Sequence, residues 1–352
     1  MRVNPHDAMQ ILSNIRILFI LLILVSQKMF SQESGHPYHL MFYNVENAFD
    51  TSDDTLTNDE EFLPGGLRRW NHSRYKKKIE GLYKTIMAAG EWTPPEIVAF
   101  CEVENRKVLE DLVNGTYLSK FNYGIIHEES PDRRGIDVCL IYRKDLVSVS
   151  AMDYWIPSGI SRDEYGSRSV LYAGMVFDSD TVHIIVNHWP SRKGGVLAGG
   201  ELRRKIASMV REKADSIFIH NKDGAKIIIA GDFNCTPDGL EMRSFSESGE
   251  KGIRYVNLSA DGARKGIGTY RYMGVWEMID QVLVSEKLLN CETGVYIKSK
   301  SAEVFNADFL VSKDQNYPGY SPFSMYRGYR YQGGFSDHLP VLVNLHLRVQ
   351  PE

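Results

Sequence analysis

Cysteine is scarce in this chain, and none of its four residues stands in a CxxC pair. Cys101, Cys139, Cys235 and Cys291 are scattered, three of them in or beside apolar, strand-like runs. That spacing disfavours a thiolate zinc module and a disulfide scaffold; buried free thiols are expected. No internal repeat, low-complexity tract or Pro/Gly-rich linker divides the sequence after residue 31, so residues 32–352 are expected to form a single domain. A surplus of positive charge is missing too. The formal net charge of −4 is not the balance of a protein that coats nucleic acid by bulk charge, although it leaves room for a local basic cleft. Long hydrophobic runs are lacking as well. The run Ile17 to Val25 has nine residues, where a bilayer span takes about 20.

That run follows Arg16 and is broken by Ser26 and Gln27, the pattern of a secretory signal. Residues 1–31 are therefore expected to be a signal peptide, with Ser26 or Ser31 as the last residue removed. The mature protein would be periplasmic or secreted, in an oxidising compartment. An uncleaved anchor is the alternative. No cysteine lies near enough for a lipid-attached N-terminus.

What is present is a series of apolar runs that stop at polar residues. Ile227-Ile228-Ile229-Ala230 reads as a buried strand and runs into Gly231-Asp232-Phe233-Asn234. On an extended backbone Asp232 and Asn234 would point to one side. The same spacing places Asn44 with Glu46 in YNVEN, and Glu102 with Glu104 in FCEVEN. Another run ends at His188 in NHWPS, and Asp337-His338 closes the last loop in SDHLPV. Asp280 lies inside the apolar run Met278 to Val284, where an unpaired carboxylate is costly. Singly, each has a plain explanation: an Asx turn, a cap, a solvated helix start or a core histidine. Together they point to one oxygen-rich site for a hard cation such as Mg²⁺, Mn²⁺ or Ca²⁺.

The remaining periodicity gives helices over Tyr75–Met87 and Glu201–His220 and many short strands. These include His39–Asn44, Ile97–Cys101, Val138–Tyr142, Val170–Phe177 with Val182–Val186, Tyr255–Leu258, Val295–Lys298 and Val341–Leu347. Helices and strands do not alternate, which disfavours a βα barrel. Two packed sheets with outer helices accommodate the count.

In that order, YNVEN, FCEVEN, RRGIDVCLIYR, NHWPS, GDFN, IDQVLV and SDHLPV resemble the endonuclease/exonuclease/phosphatase superfamily, from about Tyr38 to about Leu347. The resemblance implies an α+β, DNase I-like fold: a four-layered α/β sandwich of two packed mixed β-sheets flanked by helices. It implies metal-assisted hydrolysis of phosphate esters, with Glu102 holding Mg²⁺ and Asn44, Glu46, Asp337 and Glu104 around it. His338 would act on water or the phosphate, oriented by Asp280, while Asn234 and His188 would donate to phosphoryl oxygens. The choice of base between Asp232 and His338 stays open, and Thr269 is a further phosphate-contact candidate. Asp137 or Arg134 is aligned loosely beside His188.

Three functions are compatible with these residues. The first is an exported, Mg²⁺-dependent, endonuclease-like phosphodiesterase, expected to be a monomer with no membrane span in its mature chain. The others are a phosphomonoesterase or phospholipid (sphingomyelinase-like) phosphodiesterase, and a non-catalytic binding protein on the same fold. The tyrosines of 317–335, interleaved with Arg327 and Arg330, could stack nucleic-acid bases or simply pack.

Overall fold

A computed structural model describes residues 37–161, 166–192, 196–221, 224–247, 249 and 252–348. The expected signal segment lies outside the described residues. In chain order the strands are β1 (Tyr38–Ala48), β2 (Ile97–Val103), β3 (Tyr123–His127), β4 (Asp137–Arg143), β5 (Ser148–Trp155), β6 (Val170–Phe177), β7 (Asp180–His188), β8 (Lys226–Asp232) and β9 (Tyr255–Asn257). They continue as β10 (Tyr270–Tyr272), β11 (Val275–Glu277), β12 (Asp280–Ser285), β13 (Gly294–Tyr296), β14 (Glu303–Val304), β15 (Val311–Lys313), β16 (Tyr320–Pro322), β17 (Tyr326–Arg327), β18 (Arg330–Tyr331) and β19 (Val341–Arg348). The principal helices are α1 (His72–Ala89), α2 (Arg106–Gly115), α3 (Val196–His220) and α4 (Leu240–Ser246).

Two mixed sheets form the centre. One runs β13-β19-β1-β2-β4-β3, with β14 also on β19; the other runs β5-β6-β7-β8-β12-β9. Each has a single parallel pair at its middle, β1 with β2 and β7 with β8, and antiparallel neighbours elsewhere. Leu40, Phe42, Ala99 and Leu140 of the first sheet pack against Ala173, Ile184, Ile228 and Val282 of the second. The alternate residues of the same strands face outward onto helices. Met41, Val98 and Ile141 meet α1 and α2, and Ile185, Ile227 and Ile229 meet α3 and α4. The layers are helix, sheet, sheet, helix, as expected. Continuous runs such as Ile227–Ile229 follow from burial on both faces.

Several elements went unanticipated, among them β3, β5, α2, α4 and the short strands β10, β11 and β14 to β18. β5 is an edge strand with most residues exposed, so it carries no inward–outward alternation to detect. α2 follows FCEVEN directly: Asn105 caps it by accepting from Val108 N at 3.1 Å, and Val108, Leu109, Leu112 and Val113 face the core.

Candidate active site

The topology delivers the polar strand ends to one edge. β1 and β2 run parallel, as do β7 and β8, and the amide of Asn44 on β1 donates to Asp232 on β8 at 3.0 Å. β12 is antiparallel to β8, so it begins where β8 ends, with Asp280 directly opposite Asp232. β19 is antiparallel to β1, so the loop before it brings Asp337-His338 to the same edge. Gly231 allows β8 to lie this close to β7: a Cβ there would stand 2.4 Å from the Asn187 carbonyl oxygen.

The side chains interlock. Asn44 Nδ2 is also 3.5 Å from Glu102 Oε1. His188 Nε2 lies 3.7 Å from both Glu102 Oε1 and Asp232 Oδ2. Nδ1 of His338 is hydrogen-bonded to Asp280 Oδ2 at 2.7 Å, and the Tyr270 ring packs on the imidazole at 4.9 Å. Asp337 Oδ1 stands 3.9 Å from His338 Nε2 on a half-exposed side chain, at the mouth of the group. Asn234 donates its amide to the Trp189 carbonyl at 2.9 Å and its backbone N–H to Asp232 Oδ1 at 2.9 Å. One face therefore gathers Asn44, Glu102, His188, Asp232, Asn234, Asp280, Asp337 and His338.

Electrostatics divides these groups. Burial alone would lower the His338 imidazole, but the charge and hydrogen bond of Asp280, with Asp337 and Asp232, hold it well above its ordinary value. The charged imidazolium is thereby the favoured form. His188 goes the other way: burial, then the Arg168, Arg134 and His338 charges, keep it neutral. Burial and the facing Asp280 push Asp232 up to about 7. Two acids directly opposite on neighbouring strands repel, and Asp280 Oδ1 is buried with no hydrogen-bond partner among the described residues. Oxygen donors dominate the group, and Asp232, Asp280 and His338 bring ligating atoms within 4.8 Å of one another. The acids present could bind a metal, and the donor chemistry suits a hard cation rather than a thiolate-seeking one.

Several expectations need correction. Extended alternation fails because the strand ends curl: Glu46 (φ 51°), Asn47 (φ 54°), Glu102 (φ 66°) and Asn234 (φ 50°) are all left-handed. Glu46 consequently turns away from Asn44. Its two oxygens accept the backbone N–H groups of Met325 (2.6 Å) and Tyr326 (3.3 Å), which makes it an anchor for that loop. Glu104 likewise accepts from Asp50 N at 2.6 Å and Asn105 Nδ2 at 3.1 Å. Thr269 Oγ1 donates to Asp280, so it positions the acid that positions His338. Asp137 is bonded to His127 at 2.9 Å instead of lying beside His188.

Arg168 was missed. Its guanidinium lies against both ring nitrogens of His188, at 3.1 and 2.6 Å, and is held by Asp132 at 3.1 Å. It precedes β6 where the other site residues mostly follow strands, so no polar strand end marked it. Buried Lys78 was missed too: it reaches from the apolar face of α1 to the Val45 and Phe335 carbonyls. Of the expected aromatic loop, Tyr326 is buried, while Tyr320 and Tyr329 are about 60% exposed.

A model of the endonuclease/exonuclease/phosphatase family matches residues 39–347. No curated protein sequence matches the chain. Among solved structures, the chain is similar to an endonuclease/exonuclease/phosphatase from Bacteroides vulgatus (TM-score 0.54, 16% identity, covering 89% of this chain and 100% of that one). It is similar to D. rerio TDP2 complexed with single strand DNA product (TM-score 0.53, 15% identity, 88% and 98% covered). It is also similar to the human Nocturnin catalytic domain with bound sulfate anion (TM-score 0.53, 15% identity, 88% and 94% covered). Those likenesses carry the fold, and the family match, running through all of the gathered strand ends, shows that this chain belongs to the endonuclease/exonuclease/phosphatase family.

Proposed function

We propose that this protein is an exported, Mg²⁺-dependent phosphodiesterase that cleaves nucleic-acid phosphodiester bonds by in-line attack of water. The observation that carries the reading is the Asn44 bridge between Glu102 and Asp232, beside the His338–Asp280 pair. Mg²⁺, bound through Glu102 with Asn44 and Asp337 beside it, would neutralise charge on the phosphoryl oxygens. Protein groups do the rest. The His338 imidazolium faces the phosphate and offsets the charge that builds on it, while Asp280 and Thr269 fix its ring. Neutral His188, braced by Arg168, and Asn234 donate to the remaining oxygens. Asp232, with its raised pKa, is placed to take a proton from the attacking water. Nucleic acid is favoured by the exposed Tyr320 and Tyr329 and by the likeness to a TDP2 bound to a DNA product. Export rests on the Ile17–Val25 run, and no helix among the described residues is long and apolar enough to cross a membrane.

Purified protein should hydrolyse bis(p-nitrophenyl) phosphate and a single-stranded oligonucleotide in Mg²⁺. Chelation by EDTA should abolish both reactions and added Mg²⁺ restore them. Full activity in the chelator would reject the metal role, and a preference for a phosphomonoester or sphingomyelin analogue would reject the substrate class. Fractionation of the producing cells tests export.

A further inference from the structure

Residues 325–336 leave the sandwich and return with both ends clamped at the active edge. At one end Glu46 accepts the N–H groups of Met325 and Tyr326. At the other, Lys78 donates to the Phe335 carbonyl at 2.7 Å and Ser336 Oγ donates to the Asn44 carbonyl at 2.7 Å. Between the clamps stands the β17–β18 hairpin, which places Arg327 and Arg330 directly opposite each other. Both are exposed. Like charges in that position repel, and a hairpin this short has little stability of its own. Among the described residues neither arginine has a carboxylate within salt-bridge distance. Asp314, whose carboxyl senses the Arg327 charge, is itself paired with Arg271 at 3.4 Å.

The base of the hairpin is nevertheless stiff. Arg68 lies 4.9 Å from the Tyr326 ring and donates to the Gly328 carbonyl at 3.1 Å, and Arg74 covers the Tyr331 ring at 4.4 Å. Two guanidinium groups with no salt-bridge partner among the described residues thus stand on a hairpin whose ends are tied to the active edge, in a protein whose net charge is −4. Guanidinium forks match phosphate oxygens, and Tyr329 stands exposed between them at the turn.

We propose that the β17–β18 hairpin is a separate anion-binding site, taking a second phosphate group of the molecule whose first phosphate is cleaved at His338. The proposal rests on the phosphoesterase reading for its substrate, but the anion site can be measured without catalysis. A fluorescein-labelled oligothymidylate in EDTA, read by anisotropy over a range of NaCl concentrations, reports binding alone. The Arg327→Ser/Arg330→Ser double variant of the full chain should bind about tenfold more weakly, and its log–log salt slope should be shallower by about 1.4, the release expected for two single-strand phosphate contacts. Arg264→Ser/Lys265→Ser removes two positive charges elsewhere on the surface and should change neither.

The proposal is overturned if the hairpin variant binds like the parent, if the control loses as much, or if the parent does not bind at low salt. Competition by inositol hexakisphosphate separates the sources. With the variant weakened as expected, displacement of the oligonucleotide from the parent by inositol hexakisphosphate shows that the pair also takes a compact polyphosphate, and no displacement assigns it to the strand. Absence of hydrolysis of bis(p-nitrophenyl) phosphate in Mg²⁺ would defeat the phosphoesterase reading and leave the binding result standing.

Discussion

Strand β8 meets buried charge at both of its ends and handles it in opposite ways. At its start, Lys226 pairs with Asp180 and donates to the Thr293 carbonyl at 3.0 Å, while the same aspartate accepts from Val295 N. The buried lysine there has its complement. At its finish, Asp232 faces Asp280 in register, and Asp280 keeps one buried oxygen without a partner among the described residues. The nearest cation is the His338 imidazolium, which Asp280 itself holds in the charged form. One end of the sandwich spends its polar groups on stability; the other leaves acids crowded, as the proposed cation and phosphate site would require.

The sharpest way to break this contrast is at the active edge. His338→Ala should lower turnover on bis(p-nitrophenyl) phosphate about 10²-fold or more; a loss of only a few-fold would remove it from the chemistry. Asp232→Asn should separate activity from stability. A carboxyl whose folded pKa is raised to about 7 opposes folding increasingly as pH climbs from its unfolded value toward 7. Its amide should therefore abolish turnover yet melt higher at pH 8, by about 2–4 °C per kcal/mol relieved.

The opposite end should respond in reverse. Lys226→Met leaves Asp180 without its cation, so the melting temperature should fall by a few degrees while kcat and KM stay at parental values. A loss of activity there would dissolve the distinction between the two ends. The smallest effect is expected at Glu104, which burial pushes up to about 8. It too loses stability as pH rises from its unfolded value toward 8. Glu104→Gln should flatten the decline of melting temperature between pH 5 and pH 9 and leave turnover alone, as measured by thermal scans across that range.

Much of this site was legible in the chain because buried strands announce themselves and polar residues at their ends do not belong in a core. Asn44, Glu102, His188, Asp232, Asp280 and His338 were found that way. Glu46 and Glu104 were misplaced for a local reason. Two-residue alternation holds only while the backbone stays extended, and Glu46, Asn47 and Glu102 adopt positive φ. Arg168 and Lys78 escaped because each works from outside the strand ends, one ahead of β6 and one from the buried face of α1.

The sequence by itself determined the stock of acids, amides and histidines at the ends of buried runs; its periodicity accommodated two packed sheets with outer helices, and the resemblance of its motifs implied the sandwich. Tertiary structure alone decided which of those side chains meet. Pairing fixes the register that sets Asp280 against Asp232, and sheet-on-sheet packing brings Asn44 to Asp232. Neither is written in local propensity, because contacts between distant strands depend on how whole faces bury against each other.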